Sequence, residues 1–469
     1  MSSATEKNFL GHPVGLSFLF GSEMWERFSY YGKRLLLPLY CLQFLLLPGH
    51  REKVIGFDFM RHVLEALNGD LVNDQQLQSA IYGFYTAFVY ATPLVGGFLA
   101  DRWFGRRYTV VVGGILMSIG HFLMAFQNLF WFALLFIILG NGGFKPNIST
   151  QVGGLYKAGD NRIDRAYSVF YFGINFGAFI GQNICGWFAE RQLWSYGFGA
   201  AGVAMLIGTL VYLYALRVLP SDLPTKGSRK ERRPFTGSDW HAMILLCLLF
   251  VPCCLFWAAY EQSGNTVEVW SVDHLNRTAN LGFTTITLTV GFIQSMNGLF
   301  ILVFTPVVIG IWRWQERRGS EPSTVVKMAL GFVIMAVSYL LLAGAQMAAG
   351  SGQVYWIWAV LYFAIYNFGE LYFSPIGLSL YARAAPPQVA ALMMAVYIGA
   401  MFPGNFLAGW LGKFYSTMSN AHFFLLIAVI SLVPAPFVWA FNGPLKRIVA
   451  ARESKPLDPR NIPYMPPTE

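Results

Sequence analysis

Residues 23–34 read Glu-Met-Trp-Glu-Arg-Phe-Ser-Tyr-Tyr-Gly-Lys-Arg, and apolar stretches flank them at 13–20 and 35–47. A charged side chain at the centre of a bilayer costs roughly 2.5–3.5 kcal/mol, so a helix with several charges must turn them away from lipid. At about 100° per residue, six polar side chains fall on one side of this helix: Glu23, Glu26, Arg27, Tyr30, Tyr31 and Arg34. We expect this side to line a water-filled or substrate-filled cavity; the alternative is a structural ion-pair cluster between helices.

The composition is that of a polytopic membrane protein. Of the 469 residues, 55% are hydrophobic and only 12% are charged, whereas soluble domains have about 25% charged residues. The net charge of +9 arises from basic residues in short loops, which sets membrane topology and does not indicate nucleic-acid binding. The cysteines have no metal-ligand spacing and are interpreted as small core residues: Cys41, Cys185, Cys247, Cys253 and Cys254. The N-terminus lacks the basic start of a cleavable signal.

Apolar runs of about 20 residues predict twelve transmembrane helices. They are 13–42, 77–101, 107–127, 129–152, 166–188, 196–218, 240–264, 284–312, 324–347, 354–380, 388–413 and 421–443. An even number of spans places both termini on one side, and the basic loops predict that this side is cytoplasmic. The segment 49–76 is either a short amphipathic helix ending near Gly69 or an ordered loop.

The twelve spans divide into two halves. We predict an all-α membrane protein of the major facilitator fold, with a six-helix bundle at 1–218, a cytoplasmic linker at 219–239, a second bundle at 240–446 and a polar tail at 447–469. In such transporters the substrate binds near mid-membrane, where the two repeats meet.

Further polar residues lie inside the predicted spans: Lys145, Asn175, Glu261, Asn297 and Glu370. Lys145 is too far along its helix to reach either interface easily. Cations and carboxylates at matching depth on different helices favour a shared cavity over structural pairing. Arg34 and Glu261 both lie roughly 30 Å from the cytoplasmic ends of their helices at 1.5 Å per residue. They are therefore predicted to form an extracellular gate.

At these residues the chain resembles the proton-dependent oligopeptide transporter family of the major facilitator superfamily. The first-helix motif ExxERFxYYG begins at Glu23, and GGFLADRWFGRRYTV covers 96–110. FYFGINFGAF surrounds Asn175, and Glu261, Lys145-Pro146 and Glu370-x-x-x-Ser374-Pro375 also match the family pattern. The resemblance extends over about residues 13–445.

The resemblance implies a proton-coupled symporter that imports di- and tripeptides by alternating access. The implied proton-coupling residues are Glu23, Glu26, Arg27 and Lys145. The implied peptide-binding residues are Arg27, Tyr31, Arg34, Tyr90, Lys145, Asn175, Trp257, Asn297, Glu370 and Ser374. Among these, the cations would bind the peptide carboxylate, Glu370 would bind the amino terminus, and Trp257 would line a side-chain pocket. No cofactor or metal is implied, since the proton gradient supplies the driving force.

Several alternatives stay open at this point. The transported solute could be another small anion or zwitterion, such as a nitrate-like anion or a peptidomimetic, although the intact first-helix motif favours peptide. An intramembrane enzyme is disfavoured because no HExxH, GxSxG or paired-histidine cluster occurs. A peptide sensor without transport activity is the third alternative. We expect a multi-pass protein of the cell (inner) membrane that contacts lipid, does not bind nucleic acid and functions as a monomer.

Overall fold

The computed structural model describes residues 8–9, 11–156, 160, 162–220, 235–280, 282 and 284–453. These residues belong to two compact units. The first unit contains the described part of Met1–Lys226 together with Ile286–Leu299, and the second contains the described part of Gly227–Thr285 and of Phe300–Glu469. Most of the predicted linker 219–239 and the end of the predicted tail, 454–469, lie outside the described residues.

The first unit contains seven complete α-helices within the described residues. They are α1 (Gly15–Tyr40), α2 (Phe57–Asn68), α3 (Asp74–Leu99), α4 (Arg106–Leu123), α5 (Phe130–Gly154), α6 (Ile163–Ala189) and α7 (Trp194–Ala215). Single π-helical turns extend α1 and α3, at Cys41–Leu45 and Ala100–Phe104. A short antiparallel pair, β1 (Asn8–Phe9) and β2 (His12–Pro13), precedes α1.

The remaining helices begin after the linker. They are α8 (Gly237–Leu248), α9 (Phe250–Tyr260), α10 (Thr266–Asp273), α11 (Val290–Arg317), α12 (Thr324–Ala349), α13 (Ile357–Ala384), α14 (Ala390–Gly399), α15 (Met401–Gly412), α16 (Asn420–Leu432), α17 (Pro434–Ala440) and α18 (Asn442–Glu453). The strands are β3 (Leu275–Asn276), β4 (Thr278–Asn280), β5 (Thr285–Thr287) and β6 (Val354–Tyr355). Strands β3 and β6 pair in parallel, and β4 pairs with β5.

Each predicted span coincides with one helix or with a run of consecutive helices. Within the described residues, eight of these helical segments are long and apolar enough by themselves to cross a membrane. The other predicted spans correspond to α1, α4, α6 and α13. In α1 the charged stretch quoted above lowers the hydropathy, which is expected of a helix that buries its polar side inside the protein. The predicted cytoplasmic location of the termini stays a prediction.

Two predicted spans differ from the structure in their boundaries. The seventh span continues beyond residue 264 to Asp273, and it changes to a 3₁₀ turn at Glu261–Gly264. The eighth was predicted from residue 284, but α11 begins at Val290 and the preceding Thr285–Thr287 is a strand. A run of β-branched threonines around Ile286 favours extended structure over helix, although it is apolar enough to resemble the start of a span.

The segment 49–76 contains a helix, so the loop alternative is wrong for residues 57–68. Helix α2 ends where the sequence places Gly69, whose φ of 77° is the left-handed conformation that suits glycine. Exposed Phe59 and Leu67 give α2 an apolar face. Membrane contact by this face stays a prediction.

The prediction that all five cysteines are core residues is wrong for Cys247. Four are buried, whereas Cys247 is exposed on α8 beside the exposed Leu248. In a membrane protein, apolar side chains face the lipid as well as the core, because lipid tails are as apolar as the protein interior. An apolar sequence therefore does not distinguish these two faces of a helix.

Glycines bring the helices of the first unit close enough to place the charged side chains. A Cβ at Gly177 of α6 would overlap the Met24 carbonyl of α1, and one at Gly181 would overlap the Phe28 carbonyl. Small residues of this kind let membrane helices approach closely. Arg27 lies between these two crossing points, so the α1–α6 contact fixes the backbone that carries it.

Candidate functional site

The charged side chains of α1 form a buried ionic cluster in the first unit. Nε of Arg27 lies 3.1 Å from Oε1 of Glu23, and it also donates a hydrogen bond to Oε2 of Glu26. All three residues are at least 96% buried. One guanidinium is therefore shared by two carboxylates, an arrangement that stabilises buried charges only while the partners stay together.

Lys145 of α5 approaches this cluster over aromatic rings. Its Nζ lies 4.7 Å from the ring centroid of Tyr90 and 5.9 Å from that of Tyr30. The Arg27 guanidinium lies 5.2 Å from the same Tyr30 ring, and Lys145 interacts electrostatically with Glu23. The first unit thus brings together all four predicted proton-coupling residues.

Arg34 lies two turns further along α1, where tyrosines surround it. Its Nε donates a 2.8 Å hydrogen bond to the hydroxyl of Tyr82, and its guanidinium carbon lies 6.0 Å from the Tyr31 ring centroid. Arg34 is buried and Tyr31 is half-buried. The predicted gate partner, Glu261, belongs to the second unit, so the gate stays a prediction.

The two predicted asparagines lie on α6 and α11, within the first unit. Asn175 is buried, and its amide nitrogen donates a 3.0 Å hydrogen bond to the Tyr171 carbonyl of its own helix. Asn297 is half-buried, and it precedes Gly298, which lies against the backbone of Asn175. The Asn175 oxygen, rather than its nitrogen, is the group suited to an external donor.

In the second unit, Glu370 of α13 contacts a tyrosine of α9. The Tyr260 hydroxyl donates a hydrogen bond to Oε2 of Glu370 at 3.0 Å. The Trp257 ring lies 5.2 Å from that of Tyr260, and its indole nitrogen has no hydrogen-bond partner among the described residues. Gly404 packs closely against Trp257, because a Cβ at residue 404 would clash with Cβ of Trp257. Trp257, Tyr260 and Glu370 thus lie side by side in the second unit.

Ser374, one turn beyond Glu370 on α13, contacts a neighbouring helix through its backbone. Its carbonyl accepts a 2.9 Å hydrogen bond from the Tyr397 hydroxyl. Pro375 follows within the same helix, and proline removes one backbone donor from a helix interior. Ser374 therefore lies where the backbone hydrogen bonding of α13 is locally weakened.

Glu261 lies on the 3₁₀ turn that interrupts the seventh span and is buried. Tyrosines satisfy the carbonyls at this break. The Tyr339 hydroxyl donates to the Ala259 carbonyl at 2.7 Å, and the Tyr366 hydroxyl donates to the Tyr260 carbonyl at 2.7 Å. A backbone break inside a membrane requires such partners.

Sequence reasoning did not single out Lys33, Tyr85, His121 or Tyr260. Lys33 lies seven residues after Glu26, which places it within about 20° of that residue around the helix. That spacing was a usable signal. Tyr85, His121 and Tyr260 lie in apolar helices, where their spacing resembles that of ordinary core residues.

A model of the POT family matches residues 107–233 and 235–430. The chain belongs to the POT family. It is 29% identical to the di-/tripeptide transporter of Lactococcus lactis subsp. lactis (strain IL1403), over 95% of this chain and 98% of that protein. It is also 29% identical to the peptide transporter YePEPT of Yersinia enterocolitica, over 87% of this chain and 88% of that protein.

The structure is similar to solved structures of POT proteins. A crystal structure of a peptide transporter POT variant in complex with alafosfalin has a TM-score of 0.81 and 28% sequence identity, covering 94% of this chain and 97% of that chain. The resemblance inferred from the sequence motifs is thereby confirmed, as is the prediction of an all-α, multi-pass major facilitator fold. The POT family consists of transporters, so the protein is a membrane transporter.

Proposed function

We propose that this POT protein imports di- and tripeptides together with protons by alternating access. The observation that carries the proposal is the buried cluster of Glu23, Glu26 and Arg27, with Lys145 beside it. Two carboxylates share one guanidinium here, and a second cation lies over the adjacent tyrosine ring. Such a cluster can exchange one ionic partner for another without exposing a charge to lipid.

A short peptide has the chemistry to make that exchange. Its carboxylate competes with Glu26 for Arg27 and Lys145, and Arg34 supplies a further cation. When a buried carboxylate loses its cationic partners, its charged form loses stabilisation and a proton compensates the charge. Peptide binding and proton binding are then linked, and each promotes the other by the same free energy.

The opposite end of the peptide is assigned to the second unit. Glu370, held by Tyr260, has the charge and geometry to accept an ammonium, and Trp257 offers an apolar surface to a side chain. Tyr31, Tyr90, Asn175, Asn297 and Ser374 are assigned to the peptide backbone. Because termini and backbone are common to all peptides, these contacts predict broad acceptance of side chains.

The membrane potential supplies the driving force. Moving one elementary charge through 100 mV is worth about 2.3 kcal/mol, so an inward proton drives peptide accumulation. Arg34 and Glu261 are proposed to close the outer side of the transporter. We also propose that the protein functions as a monomer in the cell (inner) membrane.

The test is uptake of a labelled dipeptide by proteoliposomes, with and without an inward proton gradient. The gradient should accelerate uptake and a protonophore should abolish the acceleration. Unlabelled di- and tripeptides should compete, whereas nitrate should not. Competition by nitrate and not by peptides would support the alternative, a carrier of another small anion. Equal uptake with and without the gradient would contradict proton coupling.

A further inference from the structure

Lys33 is a buried cation that the proposed mechanism does not use. Its side chain is completely inaccessible to solvent. Its Nζ lies 3.3 Å from the ring centroid of Tyr85 on α3 and 5.7 Å from that of Tyr30. Among the described residues, this Nζ has neither a hydrogen-bond partner nor a carboxylate at ion-pair distance.

A second buried lysine shows how this chain stabilises a structural ammonium. Lys327 of α12 also lies over an aromatic ring, with Nζ 4.1 Å from the Trp312 centroid. It forms an ion pair with Glu321 as well. Lys33 has the rings without the carboxylate. Burial without an anion destabilises an ammonium relative to a neutral amine, whereas facing aromatic rings stabilise it. Because these two effects oppose each other, the Lys33 amine is suited to gain and lose a proton.

His121 on α4 contacts α1 at Ser29, one helical turn before Lys33. One ring nitrogen, Nε2, is 2.6 Å from the Ser29 hydroxyl, which fixes the orientation of the imidazole. The other, Nδ1, is buried and has no partner among the described residues. His121 therefore presents a nitrogen that can accept and return a proton. It lies two residues before Leu123, the last residue of α4.

The same environment connects to the ionic cluster. Lys33 interacts electrostatically with Glu26 and Arg34 on its own helix, and Tyr85 interacts with Glu26, Arg27 and Arg34. Within the described part of the first unit, the Tyr85 hydroxyl and Oε1 of Glu26 also have no hydrogen-bond partner. Buried polar atoms are usually hydrogen-bonded. Oε1 of Glu26 therefore has an open position at which a proton can bind.

We propose that His121 and Lys33 form a proton-transfer route from the Leu123 end of α4 to the Glu26 cluster. His121 accepts a proton at Nδ1 and passes it to the neutral amine of Lys33. The N–H bond at the imidazolium breaks as an N–H bond of the ammonium forms. Lys33 then returns to the amine when the Glu26 carboxylate takes the proton. The route rests on the proposed proton-coupled transport.

The test compares Lys33→Met with Lys327→Met in proteoliposomes. Two activities are measured for each variant: uptake driven by a proton gradient, and counterflow of labelled dipeptide, which needs no net proton movement. Lys33→Met should lose gradient-driven uptake at least tenfold while counterflow stays within twofold of the wild type. Lys327→Met removes a buried lysine outside the route and should retain both activities. Gradient-driven uptake by Lys33→Met within twofold of the wild type would overturn the route.

A second variant addresses a possible folding defect in Lys33→Met. His121→Gln places an amide near the position of Nε2, where it can hydrogen-bond Ser29, but this amide cannot carry a proton. It should show the same selective loss of gradient-driven uptake, and normal activity would overturn the route even if Lys33→Met does not fold. A wild-type protein that transports peptide without responding to the gradient would instead refute the proposed function.

Discussion

The Tyr260 hydroxyl lies 3.0 Å from Oε2 of Glu370 and donates a hydrogen bond to it. Tyr260 is itself held in place, because its ring stacks on Tyr366 with the centroids 4.9 Å apart. The Tyr366 hydroxyl in turn donates a hydrogen bond to the Tyr260 carbonyl and lies 2.9 Å from the Ser263 hydroxyl. The carboxylate assigned to the peptide amino terminus is therefore oriented by the seventh span. Preorganisation of this kind lowers the entropic cost of binding.

Replacing Tyr260 by phenylalanine should weaken dipeptide binding tenfold or more. The ring and its stacking remain, but Glu370 loses a hydrogen bond of the charge-assisted kind, worth roughly 1.5–3 kcal/mol. Titration of the purified protein with a dipeptide gives the dissociation constant. Tyr362→Phe is the matched control, because its hydroxyl donates to Tyr339. An equal loss in both variants would show a general packing effect instead.

Glu370→Gln should discriminate between peptides with free and blocked amino termini. Removing one partner of a desolvated charge pair costs on the order of 2–5 kcal/mol. Binding of a free-amine dipeptide should therefore weaken far more than binding of its N-acetylated analogue, as measured by competition against a labelled peptide. Equal losses for both ligands would contradict the assignment of Glu370 to the peptide ammonium.

Glu26→Gln should separate transport from proton coupling. The amide keeps the shape of the side chain but cannot exchange a proton, so gradient-driven uptake should be abolished. Counterflow should persist at least partly, since it involves no net movement of protons. Both assays use the same proteoliposomes. Gradient-driven uptake at the wild-type rate would exclude Glu26 as the coupling residue.

Gly177→Ala should destabilise the first unit by roughly 1–3 kcal/mol, the usual range for overpacking. The new methyl group would overlap the Met24 carbonyl and press against Cβ of Arg27. Thermal unfolding in detergent should show a lower Tm. Gly199→Ala in α7 is the matched control, because nothing lies within 4 Å of its added methyl group. Alanine also has the higher helix propensity, so an unchanged or higher Tm is expected for the control.

Asp160 provides a prediction about pH. The hydrogen bond from the Arg162 side chain is the largest cause that lowers the pKa of the Asp160 carboxyl from 3.8 to about 2. A carboxyl whose pKa is lowered by folding stabilises the fold at pH values above its pKa in the unfolded chain. This contribution is lost as the pH falls through about 2, the pKa in the folded protein. The effect should be small, since the pair is partly exposed. Asp160→Asn should therefore change Tm equally at pH 5 and pH 8.

The matching measurement is a series of melting curves for the wild type and Asp160→Asn. Their difference should shrink only below about pH 4, where the unfolded carboxyl becomes protonated. A difference that varies between pH 5 and pH 8 would assign the pH dependence to another group.

The sequence predicted the helices well, because membrane spans have a strong signal in length and apolarity. It also predicted that α1 buries its charges, since hydrocarbon allows few alternatives. Three features could not be predicted from the sequence. The outward orientation of Cys247 could not be predicted, because lipid-facing and core positions are filled by the same kinds of side chain. Thr285–Thr287 forms a strand inside a run apolar enough to span. Tyr85, whose ring lies nearest to Lys33, belongs to a different helix, and only tertiary packing brings the two together.

The break in the seventh span has a consequence for biogenesis. The hydroxyls that satisfy its carbonyls belong to Tyr339 of α12 and Tyr366 of α13, which are synthesised after the span itself. Gln262 similarly donates to the Ala408 carbonyl of α15. When the span first leaves the translocon these partners do not yet exist, and hydrocarbon offers no substitute for them. The nascent span is therefore expected to enter the bilayer as an unbroken helix and to acquire its 3₁₀ turn only after α13 has been inserted.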